Sequence, residues 1–218
     1  MGSIIQNIAN NITTSGVFTS SAITNTSVSA VTSLPAAVSA GALSKITTQT
    51  ASSSAQLEFT SGIDSTYSTY LFLMSNLNPA TDINKFRFQT STNGGSSYGV
   101  TVTNSNSVAY NKSDGTDGAG PSITADDQGQ GASNIIISGS VGNGADEALN
   151  GEFWLFDPSN TSKVKHFICK TVYHQNNEYV EYNFTSGYFN TTTAINAIKF
   201  LYSSGNIDEG NITMYGIN

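Results

Sequence analysis

Four aspartates, Asp114, Asp117, Asp126 and Asp127, fall within one glycine-rich segment of the chain. Carboxylate oxygens on pliant backbone are what Ca²⁺ prefers, so these four are the candidate metal ligands and Ca²⁺ the one cofactor the sequence suggests. Their spacing matches no recognised Ca²⁺ loop, and a solvated loop tip is the plainer reading.

The other reactive side chains form no constellation. His166 and His174 are the only histidines; His174 stands near Glu178, but no cysteine or further histidine lies at zinc-ligand spacing. Cys169, the single cysteine, alternates in step with Phe167 and reads as a small buried apolar residue, and it excludes an intramolecular disulfide. Serines are plentiful, yet no Gly-X-Ser-X-Gly elbow occurs. Glu58, Glu152 and Glu181 each alternate with apolar neighbours, which predicts that they face solvent rather than pair across a cleft as glycosidase carboxylates do. The expectation is a protein without catalytic residues.

Aromatic residues offer a different chemistry. Trp154, Tyr98, Tyr173, Tyr179 and Tyr188 are candidates for a sugar-stacking platform. Together with Tyr67 and Tyr70, most of them are better suited to filling a core or lining a subunit interface, since aromatics dominate both.

The elements that must position these groups are strands. In Gln56–Gly99, Leu57 and Phe59 alternate with polar neighbours, Tyr70–Met74 is continuously apolar, and Phe86–Gln89 alternates again. Asn78-Pro79 ends a strand, and Asn93-Gly94-Gly95 is a strong hairpin signal. Strand patterns continue at Val100–Val102, Val108–Tyr110, Ile135–Ile137, Phe153–Phe156, Val164–Val172 and Tyr179–Phe184. Asn111–Gly131 reads as a long polar loop, and Ile195–Tyr202 and Ile212–Ile217 read as strands joined by a glycine-bounded hairpin connection. Nine or ten short strands without a convincing helix after residue 45 predict an all-β domain, a β-sandwich of jelly-roll type.

Composition sets the domain's surroundings. Charged residues make up only 11% of the 218 residues, and the net charge of −7 with eight Lys and Arg leaves no basic patch for nucleic acid. Residues 1–44 carry no charge at all, Lys45 being the first. Ile4, Ile5, Ile8 and Ile12 recur at helical spacing after Ser3, a good N-cap, and Val17 and Phe18 open a β-branched extended stretch. Such a segment is too short and too apolar to stand alone, so 1–44 is read as an N-terminal anchoring and oligomerisation arm before a sandwich domain at 45–218, its partners being sister chains or another protein. The segment lacks a secretory signal's cationic start and no stretch is apolar enough to span a membrane, so synthesis in a cytoplasm without membrane insertion is expected.

The segments LEFTSGIDSTYSTYLFLMSNLNPATD, FRFQTSTNGGSSYG and AINAIKFLYSSGNIDEGNITMYGI resemble a β-sandwich domain that recurs in structural proteins of tailed bacteriophages, of the head-fibre, decoration or tail-fibre kind. The resemblance covers roughly residues 45–218, and its ending Ser-Ser-Gly-Asn-Ile…Gly…Met-Tyr-Gly-Ile is the most specific part. It implies a virion protein, commonly trimeric, made in the host cytoplasm and attached through its N-terminal segment. It brings no catalytic residues. A carbohydrate-binding module for host attachment is the alternative.

Overall fold

The computed structural model describes residues 43–218 apart from 124, 125, 132 and 133. The arm residues Ile4, Ile5, Ile8, Ile12, Val17 and Phe18 therefore lie outside the described residues. Two antiparallel sheets face each other as a β-sandwich. The larger contains β1 (Ser44–Thr50), β3 (Thr69–Pro79), β5 (Val102–Lys112), β6 (Gly118–Ile123), β7 (Gln128–Gly131), β9 (Leu149–Phe156), β10 (Lys165–Gln175), β11 (Tyr179–Phe189) and β13 (Ile207–Ile217). Its order is β1-β13-β3-β9-β10-β11-β5-β6, with β7 also pairing to β5. The smaller sheet runs β2-β12-β4-β8, from β2 (Leu57–Phe59), β12 (Ala197–Tyr202), β4 (Phe86–Ser91) and β8 (Ile135–Ile136). The chain passes repeatedly from one sheet to the other, a jelly-roll-like wrapping to which β9, β10 and β11 add a consecutive meander. No helix long and apolar enough to cross a membrane occurs among the described residues.

Alternation in the strands builds the core. Phe59 of β2, Phe86 and Phe88 of β4 and Phe200 of β12 project from the small sheet, and Phe72, Phe153, Phe167 and Phe189 meet them from the large one, all essentially inaccessible to solvent. The rings meet mostly edge to face or tilted, the geometry that aligns aromatic quadrupoles favourably.

Two expected hairpins are not hairpins. Gly94 and Gly95 adopt φ of 69° and 87° as the turn requires, but the chain leaving β4 enters β5 in the opposite sheet, and the one leaving β12 enters β13 in the opposite sheet. Turn residues dictate that the chain bends; packing of the following apolar face decides which sheet it joins. The polar stretch after Lys112 is also more structured than a loop, since β6 and β7 pair with β5 through a glycine-rich backbone.

The inner face of the large sheet changes character along its width. Under β3, β9 and β13 it is apolar. Under β5, β10 and β11 it buries Asn104, Asn106, Thr171, Glu181, Asn183 and Thr185.

Candidate functional site

At this polar end the structure opens a cleft of about 420 Å³. Its floor is built by register. Glu181 of β11 stands opposite Tyr110 of β5 and opposite Tyr173 of β10, and Asn183 stands opposite Val108. Directly opposed residues on antiparallel strands share a face, so a carboxylate, a carboxamide and two phenols converge. The walls come from Lys85 just before β4, Gly139 and Ser140 after β8, Gln175 at the end of β10, and Asp117 and Asp126 flanking β6.

The side chains at the rim hold one another. Tyr110 and Tyr179 pack edge to face at 5.7 Å, and the Tyr179 hydroxyl donates to Asp117 Oδ2 at 2.9 Å, a bond that pushes the phenol's pKa up. Lys85 Nζ donates to both carboxylate oxygens of Asp126 at 2.9 Å. Below them, Gly139 must be glycine, because a Cβ there would lie 2.6 Å from the Tyr173 hydroxyl and 2.9 Å from Glu181 Oε1. Its N–H donates to that hydroxyl.

Glu181 is the unusual group. It is 7% exposed, burial raises its carboxyl pKa, and its Oε2 is enclosed without a hydrogen-bond partner. Buried polar atoms are nearly always paired, so an unpaired carboxylate oxygen asks for an explanation. The expected solvent-facing position of Glu181 is thus corrected. On β11 the apolar residues Val180 and Tyr182 point outward, 51% and 42% exposed, while the polar Glu181, Asn183 and Thr185 point inward. Glu58 and Glu152 do lie on outward faces, Glu58 accepting from Gln56 at 2.7 Å and Glu152 from Lys170 at 3.0 Å.

The four candidate Ca²⁺ ligands do not come together. Asp114 pairs with Lys112 at 3.2 Å and accepts from Thr116, which holds its pKa down at about 2. Asp117 serves Tyr179, Asp126 serves Lys85, and Asp127 accepts the Asn106 N–H at 2.6 Å. Each has a separate local partner, and among the described residues no group of three or more His, Cys, Asp or Glu is placed to hold a metal ion.

The aromatic platform is likewise dispersed. Trp154 lies on the outer face of the large sheet between Leu71 and Ile168, and Tyr188 sits there beside His166. Tyr98 packs under the Lys199 ammonium, 4.5 Å from its ring centroid, and burial with Glu58 nearby pushes its pKa up to about 12. Tyr173 is buried. Tyr70 donates to the Asp64 carbonyl from within the core, with Tyr67 against it. Of these, Tyr179 lines the cleft and Tyr173 lies enclosed beneath it opposite Glu181, and Tyr110, Glu181, Asn183, Lys85 and Gln175 join them unannounced by any motif.

His174 lies 3.2 Å from Glu147 and 3.8 Å from Glu178, away from Cys169. Cys169 is fully enclosed, and burial drives its thiol pKa far upward. A thiol reagent such as Ellman's is therefore expected to leave the native protein unlabelled and to titrate one thiol in guanidinium; rapid native labelling would contradict the packing. Comparisons of the chain with protein-family models, with curated proteins and with solved structures return no match.

Proposed function

We propose that the chain is a non-enzymatic structural protein of a bacteriophage particle, attached through residues 1–44 to the particle or to sister chains and displaying its sandwich outward. One observation supports this above others. The three segments that resemble virion sandwich domains fold into β2, β3, β4, β12 and β13, which are neighbours: β2-β12-β4 in one sheet and β13-β3 in the other. The residues on which the resemblance rests thus form one contiguous half of the sandwich. The low charge and the single buried cysteine suit an assembled particle, and head decoration, head fibre and tail-associated positions all fit, with a homotrimer as the assembly the resemblance implies.

Because β1 begins at Ser44 and pairs with β13, removal of residues 1–42 spares every described strand. The truncated chain is expected to remain folded by circular dichroism and to be absent from particles purified on a density gradient. Incorporation at the level of the full chain would defeat the anchoring role.

The second reading is a carbohydrate-binding module for host attachment. It is favoured by the cleft, whose polar groups, Lys85 just before β4 apart, belong to the half of the sandwich outside the resembling strands. Tyr110 and Tyr179 supply the aromatic surface there, in place of the outer-face Trp154.

A further inference from the structure

The cleft's hydrogen-bonding capacity is lopsided. Its strong donors are committed internally: Lys85 to Asp126, and the Tyr179 hydroxyl to Asp117. One acceptor is left over, since Glu181 Oε2 has no donor, whereas Oδ1 of Asn183 beside it already accepts from the Thr185 hydroxyl at 3.0 Å. A complementary ligand must therefore donate hydrogen bonds. Charge narrows the choice. Three carboxylates, Glu181, Asp117 and Asp126, oppose an anion, and the Lys85 ammonium among them opposes a cation. A neutral ligand rich in hydroxyl groups satisfies both conditions, and the Tyr110–Tyr179 pair gives its C–H faces an aromatic wall.

We propose that this cleft is the binding site for a neutral mono- or disaccharide, with Glu181 as the acceptor for a sugar hydroxyl and Tyr110 and Tyr179 as the packing surface. The proposal rests on the carbohydrate-binding reading and locates its site. The volume falls in the usual range of small-molecule sites. The last torsion of a glutamate side chain is broad and roughly two-fold, so the enclosed oxygen can turn to meet an entering hydroxyl without disturbing the backbone. A hydrogen bond to an acceptor shielded from water is also stronger than one made in solvent.

The test is a glycan array of neutral, amino and acidic saccharides probed with the full chain, followed by calorimetry with the best neutral glycan. Glu181→Gln is expected to weaken binding roughly 10- to 100-fold, and Tyr110→Ala roughly fivefold or more, while Trp154→Ala on the outer face leaves affinity unchanged. Folding of Glu181→Gln is checked by its melt. Burial raises the carboxyl pKa in the folded state, so the wild type loses stability relative to the glutamine variant as pH rises from the unfolded carboxyl's 4.5. The variant should accordingly melt no lower than wild type at pH 7, with the difference shrinking toward pH 4.5. Tyr110, Tyr173 and Lys85, the titratable groups facing Glu181, are retained in both proteins. Neutral-glycan binding that survives both cleft variants but is lost in Trp154→Ala overturns the assigned site while sparing the carbohydrate reading. A silent array overturns both, and binding confined to acidic saccharides overturns the charge argument.

Discussion

Phe88→Ala is expected to lower stability by about 3–5 kcal/mol, the range for deleting a fully buried phenylalanine ring. For a domain of this size that is a fall in Tm of roughly 6–20 °C, at about 2–4 °C per kcal/mol. Phe88 is inaccessible to solvent, and its ring lies 4.7 Å from Phe153, 5.1 Å from Phe167, 6.3 Å from Phe189 and 6.4 Å from Phe200. It is thus a small-sheet ring that meets rings of β9, β10 and β11 together. The neighbours cannot collapse into the vacancy, because each is fixed on a strand whose pairing is set by its own ladder. The high end of the range is therefore favoured over the low end, and calorimetry measures it. A change below about 1 kcal/mol would mean that the two sheets are held elsewhere.

Gly210→Ala is expected to cost about 2–6 kcal/mol, combining the cost of a disfavoured backbone conformation with that of overpacking. Gly210 has a φ of 103°, a conformation that L side chains rarely adopt. A Cβ there would lie 2.4 Å from the Asn76 carbonyl oxygen and 2.8 Å from Leu77 Cα. Both obstacles are backbone atoms of β3. Nor can Gly210 itself move freely, since its carbonyl accepts from the Ala51 N–H at 2.9 Å. The register between β13 and β3 is irregular here, shifting on both sides of Glu209, so the substitution strikes the place where the ladder is already bent. Equal denaturant midpoints for variant and wild type would sink this account; a lowered midpoint with unchanged slope is the expected outcome.

The all-β class was legible because β-strand alternation is a local property. Phe86 and Phe88, or Phe167 and Cys169, report their own burial without reference to anything distant. Strand partners were not legible. The glycines after β4 and the segment before β13 announce bends, but the choice between a hairpin and a crossing depends on which apolar face needs covering, a property of the whole sandwich. The cleft was hidden for a sharper reason. On β11 both faces carry information that conflicts: Val180 and Tyr182 are the more apolar set and face out, whereas Glu181, Asn183 and Thr185 face in. Reading burial from hydrophobicity inverts this strand's phase. On β5 the phase is kept but the inward face is mixed: Val102 is buried together with Asn104 and Asn106, and one long strand reads as two short ones. A run of polar residues at every second position on neighbouring strands is the signal that could have found the site.

The position of β13 bears on how the chain reaches its native state. Although it comes after every other strand in sequence, it is an interior strand, inserted between β1 and β3. Thr50 and Asn211 are neighbours in that ladder, as are Ser44 and Gly216. During synthesis the β9-β10-β11 meander can zip as soon as it emerges, whereas the one strand that β1 pairs with among the described residues, β13, follows it by more than half the chain. Closure of the large sheet is a late, long-range event, and contacts spanning so much of the chain carry the loop-closure entropy that slows β folds. Until then the backbone edges of β1 and β3 that β13 will pair with are open together. Unpaired strand edges are templates for pairing with another chain, so the newly made chain is at its most adhesive before β13 is in place.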